Sequence, residues 1–258
     1  MRTDLDVEVG RSPLRSNLQQ VIDMHGFTSF GNKSLYSVLE SDAPMAAELS
    51  LRYALSVPSL KPEDEPLPLI FILHGRGADA NDLVDIAPLI DNNYRFIFPN
   101  AQEPFEPAPG FSFGYTWFDG WPAERGSFVR SRELLLRFIE EALGRFPTPP
   151  GKVILSGFSQ GGMMSLDAGF RTKQHIAGIV VMSGALYEED LPPFSPDIPV
   201  LMVHGTQDDM IPVLAARRAR RVLEEHGVKI EYHEFPMGHY VTPESMAMVG
   251  DFIRRCLE

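Results

Sequence analysis

The pentapeptide Gly157-Phe158-Ser159-Gln160-Gly161, with one serine between two glycines, constrains the fold of this chain more than any other stretch. The run before it, Lys152-Val153-Ile154-Leu155-Ser156, reads as a buried strand. The run after it, Gly162-Met163-Met164-Ser165-Leu166-Asp167-Ala168, reads as the start of a helix. A G-x-S-x-G sequence between strand and helix predicts a turn so tight that the serine takes a strained backbone conformation, with Oγ exposed above the sheet edge. A Cβ at either flanking position would clash there, and glycine at 157 and 161 removes the clash. The alternative is an ordinary Gly/Ser turn, which would not call for a strand on one side and a helix on the other.

A serine hydroxyl is a weak nucleophile unless a base takes its proton and a further group orients that base. Where such a turn carries the nucleophile, an acid and then a histidine follow it along the chain. The strand Ile198–Val203 is followed by His204-Gly205-Thr206-Gln207-Asp208-Asp209, in which Asp208 and Asp209 compete for the acid role. The next strand, Lys229–Phe235, leads into Pro236-Met237-Gly238-His239, and His239 is the candidate base. Other histidines read differently: His204 lies upstream of the base position, His233 is a half-exposed sheet residue, and His74 braces the loop it opens. The acidic run Glu188-Glu189-Asp190 also follows a strand and reads as a solvated loop.

A tetrahedral oxyanion needs donors fixed in advance. One is expected to be the backbone N–H of Gln160, the residue after the nucleophile. The other is expected from the loop His74-Gly75-Arg76-Gly77 after the strand Leu69–Leu73, and is assigned to the N–H of Arg76. The same loop carries a competing reading, because Gly75-Arg76-Gly77-Ala78-Asp79-Ala80 matches a G-x-G-x-x-A dinucleotide fingerprint. That fingerprint also needs an acidic residue closing the next strand. Here Tyr94–Phe98 runs into Pro99-Asn100-Ala101 without one, and Asn81-Asp82-Leu83 is a doubtful start for a phosphate-facing helix.

Strands alternate with helical stretches after residue 65, which predicts a mostly parallel sheet with helices on both faces. Helices are expected over Phe128–Arg145, Leu214–His226 and Pro243–Leu257. Leu134, Leu135, Phe138 and Leu143 recur at helical spacing as a core-facing stripe. The segment Ala101–Ser127 has no regular period and holds Phe105, Phe111, Phe113, Tyr115, Trp117, Phe118 and Trp121. Disordered segments are poor in aromatics, and long ordered loops are usually functional. Phe113, Trp117 and Phe118 are therefore candidates for the wall of an acyl pocket, against the alternative of a cluster that only covers the sheet. Glu48–Val57 alternates well enough for a strand at the sheet edge. Residues 1–45 form an N-terminal extension, polar over Met1–Gln20 and readable as a mobile arm, with a possible strand pair over Phe27–Glu40. Residues 46–258 form the main domain.

A net charge of −12 lacks the electrostatic footprint of nucleic-acid binding. The cluster Arg217-Arg218-Ala219-Arg220-Arg221 spreads around a helix and reads as a solvated face. No apolar run approaches the length of a membrane span, and no signal-peptide pattern is visible. With Cys256 as the one cysteine, an intrachain disulfide is excluded and a cytoplasmic, reducing setting is the expectation. His233-Glu234 with His239 lacks the H-E-x-x-H spacing of a zinc helix, so no metal is expected.

The runs LHGRGADANDL, PNAQEP, TWFDG, GFSQGG, HGTQDDMIP and MGH occur in the order seen in the phospholipase/carboxylesterase family. From about Pro66 to the C-terminus the chain resembles that family, which includes bacterial carboxylesterases and acyl-protein thioesterases. The resemblance implies an α/β-hydrolase fold acting on carboxylic or thio esters without a cofactor. Residue by residue, it implies Ser159 as nucleophile, Asp208 as acid, His239 as base, and Arg76 and Gln160 as oxyanion donors. The chain departs from the pattern in two ways: Arg76 stands where many members have leucine, and the first sixty-odd residues exceed what compact members need. The expected function is a serine hydrolase of small to medium acyl esters working through an acyl-enzyme, as a monomer or homodimer. A non-catalytic binding protein on the same scaffold, or a serine peptidase, are the alternatives.

Overall fold

Continuous apolar runs that are too short for helices become strands buried on both faces, which is how parallel sheets covered by helices read in sequence. The computed structural model describes residues 36–40, 49–58, 61–62, 64–91 and 93–258. Its strands are β1 (Tyr36–Glu40), β2 (Tyr53–Pro58), β3 (Leu69–Leu73), β4 (Arg95–Pro99), β5 (Glu103–Pro104), β6 (Tyr115–Thr116), β7 (Val153–Phe158), β8 (Gly178–Met182), β9 (Val200–Gly205) and β10 (Ile230–Phe235). Among the described residues, eight of them form one sheet in the order β1-β2-β4-β3-β7-β8-β9-β10. From β4 to β10 every neighbouring pair is parallel, whereas β2 pairs antiparallel with both β1 and β4.

Two cores sit on the two faces of this sheet, and alternate residues of one strand feed both. In β3, Leu69, Phe71 and Leu73 join the first core, while Ile70 and Ile72 join the second. The first core takes apolar residues from α2 (Arg125–Arg145), α3 (Gln160–Arg171) and α4 (Val213–Glu225). The second takes them from the short helix α1 (Ala87–Ile90) and from α5 (Pro243–Leu257). The three long helices expected from sequence are present with boundaries shifted by three residues or fewer. The stripe on α2 buries Leu135, Phe138, Ile139 and Ala142 fully, with Leu134 and Leu143 only partly buried.

Two expectations are corrected. β2 is not the sheet edge: β1, from the end of the N-terminal extension, pairs with its outer side over Tyr36–Glu40. The segment Ala101–Ser127 is not irregular throughout. β5 and β6 pair as an antiparallel hairpin, and α2 begins at Arg125, capped by Glu124 accepting from the N–H groups of Gly126 and Ser127. The proposed arm over Met1–Gln20, and residues 27–35 of the proposed strand pair, lie outside the described residues.

Candidate active site

Ser159 sits at the C-terminal end of β7 with φ 55° and ψ −120°, in the positive-φ region that non-glycine residues rarely occupy. Its neighbours explain why the turn tolerates no side chain there. A Cβ on Gly157 would lie 2.3 Å from Gly161 carbonyl carbon, and one on Gly161 would lie 2.2 Å from Leu73 oxygen. The Ser159 N–H donates to Met182 oxygen at 2.8 Å, which ties the turn to the end of β8. Although Ser159 is the N-cap of α3, its hydroxyl makes no capping bond. Its partner is His239: Oγ lies 3.0 Å from Nε2.

Asp208 and His239 come together because the loops after β9 and β10 run side by side. Gln207 N–H donates to Met237 oxygen at 3.0 Å, and Thr206 N–H donates to Phe235 oxygen at 2.8 Å. His239 Nδ1 lies 2.8 Å from Asp208 Oδ2, and the imidazole packs on the Phe158 ring with centroids 4.8 Å apart. The other carboxylate oxygen, Oδ1, accepts from Met210 N–H at 3.0 Å and Ile211 N–H at 2.8 Å. Burial of Asp208 opposes its charge, but the His239 hydrogen bond, the Ile211 N–H and the nearby imidazoles outweigh it and hold the carboxyl below its ordinary value. Asp209 is exposed, so Asp208 is the aspartate that reaches the histidine. The two bonds to His239 set its tautomer: Nδ1–H donates to Asp208, leaving Nε2 to accept from the serine.

Gln160 follows Ser159 directly, and Gly75, the neighbour of Arg76, comes close to the serine: a Cβ on Gly75 would lie 3.4 Å from Ser159 Cβ. Gln160 opens α3, where the first N–H groups have no intrahelical partner and the helix dipole favours negative charge. Its side chain is committed to the hairpin: Oε1 accepts from Thr116 Oγ1 and Trp117 N–H, both at 3.0 Å, and Nε2 donates to Phe118 oxygen at 2.7 Å. Arg76 lies in the loop after β3, which the same hairpin grips. Gly77 N–H donates to Tyr115 oxygen, and Tyr115 N–H donates to Ala78 oxygen, both at 2.8 Å. His74 braces the loop as expected. It lies 2.7 Å from Gly75 oxygen through Nδ1, while Nε2 accepts from Ala101 N–H at 3.0 Å. This pattern fixes the neutral Nδ1–H tautomer, and burial drives the imidazole down to about 4.

The aromatic candidates separate. Trp117 is 1% exposed, and its Nε1–H donates to His74 oxygen at 2.9 Å, with the two rings 5.4 Å apart. It underpins the loop of Arg76 and is not among the residues lining the cavity beside the site. Phe113 is 57% exposed and meets Phe105 edge-on at 5.4 Å. Phe118 alone of the three lines the cavity beside the site, a space of about 330 Å³ shared with Arg76, Glu103, Phe105, Glu106, Thr116 and Asp119. Neither Ser159 nor His239 is among the lining residues; Gln160, next to Ser159 in the chain, bonds Thr116 and Phe118 of the cavity wall. Sequence reading missed Glu103, Glu106 and Asp119. Their signal was the acidic residues interleaved with the aromatics of that segment.

Other residues fall outside the site. The run Glu188-Glu189-Asp190 is not simply solvated. Asp190 pairs with Arg132 at 2.6 Å and Arg171 at 3.1 Å, beside the buried Arg132–Asp167 pair, while Glu188 pairs with Arg218 at 2.6 Å. The arginines of α4 are exposed, and Arg217 forms a two-pronged pair with Glu234. His233 is half-buried in β10. Burial pushes the Cys256 thiol up to about 11, so little thiolate exists near neutrality. The dinucleotide reading lacks its helix: residues 81–83 are turn, followed by a single 3₁₀ turn over Val84–Ile86 and the four residues of α1. Among the described residues, no group of three or more His, Cys, Asp or Glu is placed to hold a metal ion, and no helix is long and apolar enough to cross a membrane.

The chain belongs to the phospholipase/carboxylesterase family, whose sequence profile matches residues 59–257. It is a hydrolase of the esterase and thioesterase type. Over 215 residues it is 29% identical to acyl-protein thioesterase 1 of Candida albicans, covering 73% of this chain and 92% of that one. Carboxylesterase SOBER1 of Arabidopsis thaliana is 26% identical over 183 residues, 65% of this chain and 79% of the relative. Among solved structures, that of esterase PE8 superposes with a TM-score of 0.67 at 28% identity, covering 79% of this chain and 99% of the other. A carboxylesterase from Mesorhizobium loti shares the fold with a TM-score of 0.70 at 20% identity, covering 86% of this chain and 99% of the other.

Proposed function

We propose that this protein hydrolyses carboxylic or thio esters of small to medium acyl groups through an acyl-enzyme on Ser159. The observation that carries the reading is the continuous relay Asp208 Oδ2–His239 Nδ1 (2.8 Å) and His239 Nε2–Ser159 Oγ (3.0 Å), built on a strained strand-to-helix turn. In the first step Ser159 Oγ attacks the acyl carbon while His239 Nε2 takes the hydroxyl proton. Asp208 keeps Nδ1–H pointed at itself and stabilises the imidazolium that forms. The carbonyl electrons move onto oxygen, facing the N–H groups of Gln160 and Arg76. Collapse of the adduct expels the alcohol or thiol, which takes its proton from His239. Water then repeats the cycle on the acyl-enzyme, releasing the acid and restoring the serine.

A site that needs only serine, histidine, aspartate and backbone donors calls for no cofactor. A non-catalytic binding protein on the same scaffold would have no use for a serine held at positive φ with its hydroxyl on an imidazole, so the hydrolase reading is preferred. The test is hydrolysis of p-nitrophenyl esters from acetyl to dodecanoyl by wild type and Ser159→Ala, with fluorophosphonate labelling alongside. Turnover and labelling in wild type, both lost in the variant, are expected. A Ser159→Ala protein that labels and turns over like wild type would refute the assignment.

A further inference from the structure

The relay as described leaves one buried titratable group without a role. His204 is the penultimate residue of β9, with no exposed surface. Its Nε2 lies 2.8 Å from Ile211 oxygen, and because a carbonyl can only accept, this nitrogen carries the hydrogen. The same nitrogen stands 3.5 Å from Asp208 Oδ2, on the carboxylate that His239 also touches. The other ring nitrogen, Nδ1, is buried and has no hydrogen-bond partner. Ile211 is thereby held at both backbone groups. Its carbonyl receives His204, and its N–H is given to Asp208 Oδ1 at 2.8 Å.

We propose that His204 is a positioning residue for Asp208: from inside the sheet it fixes the turn over residues 208–211, and so fixes the direction in which the carboxylate meets His239. The inference rests on the reading of Ser159, Asp208 and His239 given above. The ring serves as a neutral donor. A second proton would sit on Nδ1 as a buried N–H without an acceptor, which is costly. The charged and titratable groups around it are Asp208, His239 and Glu234, the last being its register partner on β10 and already engaged by Arg217 and Tyr232. Burial outweighs the two carboxylates and the Ile211 contact and lowers the His204 pKa, in keeping with a neutral ring. An imidazolium at this place would compete with His239 for the charge of Asp208.

The test compares His204→Gln, His204→Asn and His204→Leu with wild type in p-nitrophenyl ester hydrolysis across the pH range. The amide nitrogen of glutamine reaches the place of Nε2 and can still donate to Ile211 oxygen; that of asparagine is too short. His204→Asn and His204→Leu are expected to lose on the order of ten- to a hundredfold in kcat, the scale of a small misplacement of catalytic groups, with KM little changed. The acid limb of their kcat/KM profiles should move to lower pH, because imidazolium at His239 loses part of its stabilisation. His204→Gln should recover most of the rate and the limb. If glutamine and asparagine lose rate equally and the acid limb stays in place, His204 is packing only and the proposal fails. Should His204→Leu not fold, the glutamine–asparagine comparison decides. Ser159→Ala run alongside separates the two levels. If it is active, the site reading itself is wrong; if it is inactive while His204→Asn matches wild type, only the role of His204 is overturned.

Discussion

Trp117→Phe distinguishes support of the loop that carries Arg76, the proposed oxyanion donor, from a wall of an acyl pocket. The substitution keeps an aromatic ring and deletes the N–H that donates to His74 oxygen at 2.9 Å, in a place where both residues are about 1% exposed. Leaving that carbonyl short of a donor costs about 1–3 kcal/mol. The smaller ring leaves a void worth about 1–2 kcal/mol more. A loss of about 2–5 kcal/mol in a chain of this size lowers the melting temperature by roughly 4–9 °C. Arg76 is two residues beyond His74 on the loop so loosened. Complete removal of an oxyanion donor costs about 2.7–4 kcal/mol of barrier, which sets the ceiling. Partial displacement should therefore lower kcat by about ten- to a hundredfold, at 1.36 kcal/mol per tenfold. The assay is kcat and KM for p-nitrophenyl esters from acetyl to dodecanoyl, alongside thermal melts. A support role predicts the same fractional loss of kcat at every chain length. If the acetyl ester is turned over normally and only long esters suffer, Trp117 is a pocket wall. If stability falls while kcat stands at every length, the indole bond does not position the loop.

Asp208→Asn should reduce kcat by about 10⁴-fold, since an amide in this place favours the wrong imidazole tautomer. Asp209→Asn, at an exposed position, should leave steady-state rates within twofold of wild type; equal losses in both would remove the distinction between the two aspartates. The pH dependence of folding follows from His74, whose imidazole is held at about 4 against an ordinary 6.5. The folded protein then binds fewer protons than the unfolded chain between those values, so this contribution, on the order of 3 kcal/mol, is complete above about pH 6.5 and is lost as pH falls toward 4. His204, lowered by burial, acts in the same direction. Urea unfolding from pH 7.5 to 4.5 should show wild type losing stability faster than His74→Gln, and parallel slopes would contradict the assignment.

The sheet and the order of the site residues were legible because each rests on a local rule. Gly157 announces a turn in which an added Cβ would lie 2.3 Å from Gly161, a constraint that acts over five residues. Gly161 is instead kept bare by Leu73 oxygen of the neighbouring strand, 2.2 Å from any Cβ there. Asp208 and His239 could be placed in loops after strands because apolar runs such as Val200–Val203 mark where strands lie, although β9 itself continues two residues further, to Gly205. The choice between Asp208 and Asp209 was not local. It depends on the loop of His239, thirty-one residues further along the chain, lying against that of Asp208, whose Oδ1 is held by the Met210 and Ile211 N–H groups while Oδ2 meets the imidazole. The aromatic segment shows the same limit more sharply. Trp117 and Phe118 are adjacent and equally buried, yet one supports His74 and the other lines the cavity. Composition records that both rings are apolar; which one supports His74 and which lines the cavity depends on how the hairpin docks, through Tyr115 on Ala78 and through Gln160 on Trp117 and Phe118. His204 and the Gln160 side chain were illegible as partners for a related reason. A buried polar side chain must find an acceptor or donor, but which one it finds depends on contacts between segments forty or more residues apart for Gln160, and on a seven-residue turn closing back on its own strand for His204. Backbone geometry next to a motif can thus be read from a chain, while the contacts of a side chain reaching across the fold need the packing that brings the segments together.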